Sequence, residues 1–353
     1  MDTQLVSLAQ EGRALYHSVW QRLRNNFWDP SRVDWSTWEH RFDGEIVDFV
    51  TAKARLRELI SALGDGYTKL VDKDPSAGRE ASDDKVVPGI VAAKLLDNNI
   101  GYLLIQSFNS LDVFEQVSAE LAKIAHCDGF IIDLRGNAGG FVNATARCLE
   151  LFLDEGHIAT IEEQYPEGVK KDYVYFDADT FFRVSVQPDG KEEPVHTQRV
   201  ACVTKGKPKV LLIDGQTASS AEMFASALLA SGEADGSCIA IGAQTFGKGI
   251  IQSTVQYQWC SLQFTSGRYL SASEVWFGDG GQQVSNGIRP TVFVSTVTRR
   301  LPLKTAFDHL CQKLGKEVPR SESYPGENLF ALAVGVAFVT TFAFATMWRR
   351  TDS

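Results

Sequence analysis

Apolar positions along residues 10–63 recur at helical spacing, as in Leu56, Leu59, Ile60 and Leu63, and the glycines at 64 and 66 stop the run. From Gly89 onward the pattern changes to short apolar runs that alternate with amphipathic ones. Segments 90–96 and 100–106 read as strands, and Asp97, Asn98 and Asn99 between them are a hairpin signal. Val113, Val117, Leu121 and Ile124 predict a helix, 129–134 a buried strand, and the apolar run 141–153 a further helix behind Gly139 and Gly140. Residues 157–203 read as mixed strands and charged loops forming a lid or rim, strands dominate 238–295, and 303–314 is a short amphipathic helix. Trp20, Trp28, Trp35 and Trp38 are expected as packing residues. No internal repeat is visible, and the alternation predicts α/β layers.

Composition narrows this picture. A chain of 353 residues that is 44% apolar can bury a large core. Its net charge of −9 and pI near 5.3 argue against a nucleic-acid surface. Cys127, Cys148, Cys202, Cys238, Cys260 and Cys311 are scattered, a spacing that suits buried free thiols better than a disulfide framework. His17, His40, His126, His157, His196 and His309 show no paired metal spacing, and no phosphate-binding glycine loop occurs, so neither metal nor cofactor is expected.

The candidate chemistry sits in 210–252. An apolar strand at 210–213 runs into a turn of small residues carrying Ser219 and Ser220, and an apolar helical stretch follows. Further on, Lys248 stands between Gly247 and Gly249. A serine hydroxyl attacks a carbonyl only when a base removes its proton. A lysine does so only as the neutral amine, which burial favours by penalising the ammonium. Phe246, Ile250 and Ile251 offer apolar cover, and Gln252, four residues on, is placed to fix the head group by a hydrogen bond. The N–H of Ser220 at the helix start is one oxyanion donor expected on dipole grounds, and Gly139 is expected to turn a second N–H to the site. Asp133 and Arg135 read as a structural ion pair and Asp214 as a strand-end cap. A triad of Ser219 with His309 is the weaker arrangement, because His309 lies in the amphipathic helix.

These residues also carry a resemblance. Thr217 to Glu222, then Thr245-Phe-Gly-Lys248-Gly and Gln252, resemble the C-terminal processing (tail-specific) serine peptidases, which use a Ser/Lys dyad. The segments 63–68, 100–108, Asp133-Leu-Arg135-Gly-Asn137-Ala-Gly139-Gly140 and Asn286 to Pro290 resemble further motifs of that family in the same order. The resemblance implies a ClpP/crotonase-like α/β core with an N-terminal helical region, a polypeptide substrate, and Ser219 as nucleophile by its distance from Glu222, with Ser220 the fallback. Three departures stand out. Tyr67 and Gly101 are too close for the PDZ domain usual in the family. The serine order is changed, and the interval from Ser219 to Lys248 is longer than usual, with the extra residues expected in a loop at 231–236. A non-catalytic binding or scaffold member of the same fold is therefore the alternative function, and an acyl-CoA enzyme of the crotonase type a more distant one.

The tail adds a last expectation. Residues 329–348 are an uninterrupted uncharged run followed by Arg349 and Arg350. As a helix this run is about 30 Å long, the thickness of a bilayer core, and predicts a C-terminal transmembrane anchor. The start of the sequence has no signal-peptide pattern, which favours a tail-anchored protein with its catalytic part in the cytoplasm; Arg349 and Arg350 pull the other way. The expected organisation is a helical region at 1–71, a polar linker at 72–88, the core at 89–318, a linker at 319–328, the anchor at 329–348 and a tail at 349–353.

Overall fold

Residues 3–73, 90–232, 235–282, 284–295 and 298–318 are described by the structure, a computed structural model. The helical region is three helices rather than one stretch: α1 (Thr3–Asn26), α2 (Trp35–Glu39) and α3 (Phe49–Ala62). Asp34 and Asp48 make the breaks, since each side chain accepts a backbone N–H at the start of the following helix, and Asp48 forms a capping box with Thr51. Val19, Trp20 and Leu23 of α1 and Leu56 and Leu59 of α3 are buried together with Leu262 and Phe264. Trp20 belongs to the buried core; Trp35 and Trp38 pack on its edge.

The chain continues through β1 (Lys69–Asp72), β2 (Val91–Leu96), β3 (Ile100–Ile105), α4 (Val113–Ile124), β4 (Gly129–Asp133) and α5 (Val142–Leu149). Next come β5 (Gly156–Tyr165), β6 (Gly168–Phe176), β7 (Thr180–Val186), β8 (Glu192–Gln198), β9 (Lys209–Ile213) and α6 (Ser220–Gly232). The described part closes with β10 (Cys238–Gly242), β11 (Ile250–Gln256), β12 (Cys260–Leu270), β13 (Val292–Phe293) and α7 (Arg300–Lys313).

Two sheets result. One has the order β13-β10-β9-β4-β3-β2, parallel except for the β2–β3 hairpin. Asn98 and Asn99 turn that hairpin at φ 58° and 55°, the left-handed region in which Asn is tolerated. The period of two along its strands sorts the core. Leu103, Ile105, Phe130, Ile132, Leu211 and Ile213 face α4, α5 and α6, whereas Tyr102, Leu104, Ile131, Val210 and Leu212 face α7. Val113, Val117, Leu121 and Ile124 of α4 are all buried, and each such side chain contributes about 1.5–3 kcal/mol. The other sheet is antiparallel, β1-β12-β5-β6-β7-β8, with β11 also on β12. The region expected as a lid or rim is thus four ordered strands, β5 to β8.

Some expectations change. β1 is an unexpected strand, pairing with β12, so Asp72 belongs to a sheet and not to a linker. Helix α6 runs through Gly232, so the added residues between Ser219 and Lys248 do not all lie in a loop at 231–236. A Cβ on Gly232 would meet the Cys238 nitrogen at 2.5 Å, which is why glycine ends the helix there. The six cysteines are free, and all but Cys202 are buried. The expected anchor at 329–348 and most of the expected linker at 72–88 lie outside the described residues. Among the described residues no helix is long and apolar enough to cross a membrane.

Candidate active site

The turn that carries Ser219 starts where β9 ends. Asp214 Oδ1 accepts the N–H groups of Gly136, Gln216 and Thr217 at 3.0, 3.0 and 3.1 Å, which ties the turn after β9 to the turn after β4. Ala218 N–H donates to Asn137 O at 2.9 Å. Ser219 then takes φ 58°, uncommon for a non-glycine residue, and α6 begins at the next residue. Glu222 reaches back and accepts the Ser219 N–H at 2.8 Å, while its own N–H donates to Ser219 O at 2.7 Å. This is half a capping box. The Ser219 hydroxyl is not spent on the helix start and stays half-buried at the turn.

Lys248 follows Gly247, whose φ of 85° and close approach to Ser285 (a Cβ would lie 2.7 Å from its hydroxyl) exclude a side chain. Lys248 Nζ donates to Gln252 Oε1 at 3.0 Å and lies 4.9 Å from the centre of the Tyr67 ring. Burial lowers its ammonium below the ordinary lysine value, the nearby Lys69 charge adds to this, and Glu222 opposes it. The Lys248 backbone carbonyl accepts the Tyr269 hydroxyl, which also stands beside the Ser219 side chain. Burial raises that phenol well above its usual range, so it stays a neutral donor.

One carboxylate joins the two halves. Glu222 is fully buried, and its Oε2 accepts both the Ser219 N–H and the Lys248 N–H. Its Oε1 accepts the Thr245 hydroxyl at 2.6 Å and the Gly247 N–H at 2.7 Å. In the sequence Glu222 stands out only by its distance from Ser219; its contacts, and those of Tyr67 and Tyr269 with Lys248, carry no local signal.

Of the two amides expected to face an oxyanion, one already has an acceptor. The Gly139 N–H is already taken by Asn137 Oδ1 at 2.8 Å. The next amide, Gly140, and the Ser220 amide have no acceptor among the described residues. Gly139 nonetheless lies against the serine turn, since a Cβ there would meet Ser219 Cβ and Ser220 N at 2.9 Å each. Ser220, the fallback nucleophile, is 1% exposed and its hydroxyl has no hydrogen-bond partner. Ser219 is therefore the more exposed of the two serines.

Proximity is not yet contact. Among the described residues no hydrogen bond joins the Ser219 hydroxyl to Lys248, whose head group is held by Gln252. His309 lies on α7, across the parallel sheet from α6, and is not brought to Ser219. Asp133 and Arg135 form a buried pair at 2.6 Å, as expected for a structural ion pair. No group of three His, Cys, Asp or Glu among the described residues is arranged to hold a metal.

Fold and site together describe a layered α/β core with a strained serine at a helix start and a half-buried lysine across a shared carboxylate. The family model for "Peptidase family S41" matches residues 99–294, and the chain belongs to that family. It is 29% identical over 212 residues to the carboxy-terminal processing protease CtpA of Bacillus subtilis, covering 59% of this chain and 38% of that protein. It is 28% identical over 187 residues to carboxyl-terminal-processing peptidase 1, chloroplastic, of Arabidopsis thaliana, covering 52% of this chain and 32% of that one. The alignments thus span well under half of these relatives' length. The solved structure of a photosystem II D1 C-terminal processing protease superposes with TM-score 0.62 at 15% identity, over 87% of this chain and 98% of that one. A lipoprotein from Streptococcus agalactiae superposes with TM-score 0.56 at 15% identity, over 85% and 96% of the two chains. These two superpositions establish the fold.

Proposed function

We propose that this protein is a serine endopeptidase that hydrolyses peptide bonds of polypeptides through an acyl-enzyme, with Ser219 as nucleophile and Lys248 as general base. The observation that carries the reading is the pair of amides, Ser219 and Lys248, on one oxygen of Glu222, with the lysine head group half-buried against Gln252. Lys248 as the neutral amine takes the Ser219 proton while Oγ attacks the scissile carbonyl. The N–H groups of Ser220 and Gly140 stabilise the oxyanion; one such donor is worth about 100- to 1,000-fold in rate. The lysine then protonates the leaving amine and, neutral again, activates the water that releases the acyl group. Gln252 holds the ammonium between these transfers. A side-chain rotation of Lys248 from Gln252 toward Ser219 is required first. Such looseness before substrate binds is common in catalytic hydrogen bonds.

The test is hydrolysis of casein and labelling by a serine-reactive fluorophosphonate in wild type, Ser219→Ala and Lys248→Ala. Both variants are expected to lose hydrolysis, and Ser219→Ala to lose the label. A Ser219 that never labels at any pH, in a folded protein, favours the non-catalytic scaffold reading, which draws support from the Lys248 head group being held by Gln252 with no hydrogen bond to the Ser219 hydroxyl among the described residues.

The uncharged run at 329–348 supports a further part of the reading, a membrane anchor that follows the core; the cytoplasmic face is the side we propose for the core. Alkaline extraction of the full chain and of a chain ending at 318 tests the anchor, and protease protection of sealed vesicles tests the side. Release of both chains by alkali removes the anchor from the reading.

A further inference from the structure

The helical region does more than pack beside the core. Its last turn, residues 64–68, reaches the Lys248 site and is fastened beside it by Thr265 of β12 and by Gly280 and Gln282. Asp65 accepts the Tyr67 N–H at 3.2 Å, the Thr265 hydroxyl at 2.7 Å and the Thr68 hydroxyl. The Gly66 N–H donates to Gln282 Oε1 at 2.7 Å. Gly280 has φ 74° and leaves no room for a side chain, since a Cβ would meet the Tyr67 hydroxyl at 2.1 Å and the Phe246 ring at 2.7 Å. The Tyr67 ring is thereby fixed, and Lys248 Nζ lies 4.9 Å from its centre, inside the ~6 Å range at which a ring face attracts an ammonium.

We propose that Tyr67 is a positioning residue for Lys248: its ring, delivered by the helical region, seats the head group against Gln252 and stabilises it while it carries a proton. The inference rests on Lys248 being the general base. It assigns the helical region a part in the chemistry, because the ring comes from the far side of β1 in sequence and forms a wall of the lysine site. The other charged and titratable groups around that site are Lys69 on β1, Glu222 on α6, Asp65 and Asp279 beside Tyr67, and Tyr269, which meets the lysine through its backbone carbonyl. Burial and Lys69 favour the neutral amine; the ring and Glu222 favour the ammonium. Burial also raises the Tyr67 phenol above its usual value, so the ring stays neutral while the lysine titrates.

The experiment is the pH profile of kcat/KM for peptide hydrolysis in wild type, Lys248→Ala, Tyr67→Phe and Tyr67→Leu, and in chains with phenylalanine bearing one to three ring fluorines at position 67. Weakening the ring's negative face lets the lysine lose its proton at lower pH. The acidic limb is expected to move down by about half a pH unit in Tyr67→Leu. It is expected to move stepwise with fluorination and to stay in place in Tyr67→Phe. The fluorinated residues keep the ring's shape, so they decide the matter if Tyr67→Leu does not fold. An acidic limb that is the same across the fluorinated series overturns the proposal, as does a Tyr67→Phe limb that shifts as far as that of Tyr67→Leu. Wild-type hydrolysis by Lys248→Ala is a different failure: it removes the base itself, and the role of Tyr67 with it.

Discussion

The backbone amides of Ser219 and Lys248 donate to the same oxygen, Oε2 of Glu222, at 2.8 Å each. This contact fixes the distance between the Ser219 turn and the Lys248 loop independently of their side chains. Burial raises the Glu222 carboxyl above its ordinary value, and the donors from Thr245, Lys248, Gly247 and Ser219 pull it back. Glu222→Gln replaces one acceptor oxygen by an NH2 group facing donors. Leaving a buried donor unpaired costs about 1–3 kcal/mol, so a loss of that size is expected in urea unfolding. Hydrolysis is expected to fall about 100-fold, the effect of misplacing reacting groups by roughly an ångström. An unfolding midpoint and rate equal to wild type contradict the clamp.

A second prediction concerns the glycine that touches the serine turn. Gly139 has φ 93°, and a Cβ would meet Ala218 O at 2.8 Å as well as Ser219 Cβ and Ser220 N. Gly139→Ala is thus strained in the backbone by about 1–3 kcal/mol. It also displaces the Ser220 amide, which in the proposed mechanism moves it away from the oxyanion. A drop in kcat of about 100-fold with little change in KM is expected, since the lost interaction belongs to the transition state. A rise in KM alone points to a role in substrate binding instead.

Asp133 and Arg135 give a contrasting case. The pair is 0% and 3% exposed, and Tyr102 adds a hydrogen bond to Asp133 at 2.8 Å. Breaking a buried pair by removing one partner costs about 3–5 kcal/mol, so Asp133→Asn is expected to unfold that much more easily. Burial opposes the Asp133 charge, but Arg135 and the hydrogen bonds win and hold its carboxyl below the usual range. Its stabilisation is therefore present above the unfolded carboxylate value near ~3.9 and is lost as pH falls through the lower folded value. Labelling of Ser219 in the folded variant is expected to be unchanged; a loss of labelling without a loss of stability moves Asp133 from scaffold to site.

Much of this molecule was legible in its sequence, and the unread part has a common cause. The period of α4, the apolar strand β4 and the hairpin at Asn98 and Asn99 are local patterns, and local patterns survive in one dimension. Gln252 meeting Lys248 is likewise a short-range contact within one loop and strand. Tyr67, Tyr269 and the clamping role of Glu222 depend on segments distant in sequence, and no spacing rule brings them together. The Gly139 amide is engaged for a similarly small reason: the Asn137 side chain turned onto it and left the Gly140 amide without an acceptor among the described residues.

A lysine whose charge is opposed by burial makes stability depend on pH. Burial lowers the Lys248 ammonium, with Lys69 adding to the effect. In the unfolded chain a lysine titrates near ~10.4. Between the lower folded value and that one, the unfolded state binds the extra proton, so stability rises with pH across the window. Below the folded value both states are protonated and the cost of the buried charge is fully expressed. Lys248→Met keeps the apolar stem and removes the charge. Its stability relative to wild type is therefore expected to be greatest near neutral pH and to decline toward pH ~10, measured by urea unfolding across that range. A difference that stays flat over the window means that the folded protein does not depress the ammonium. Lys248 then reaches its neutral form no more readily than a solvent lysine, and the supply of base for Ser219 at neutral pH fails.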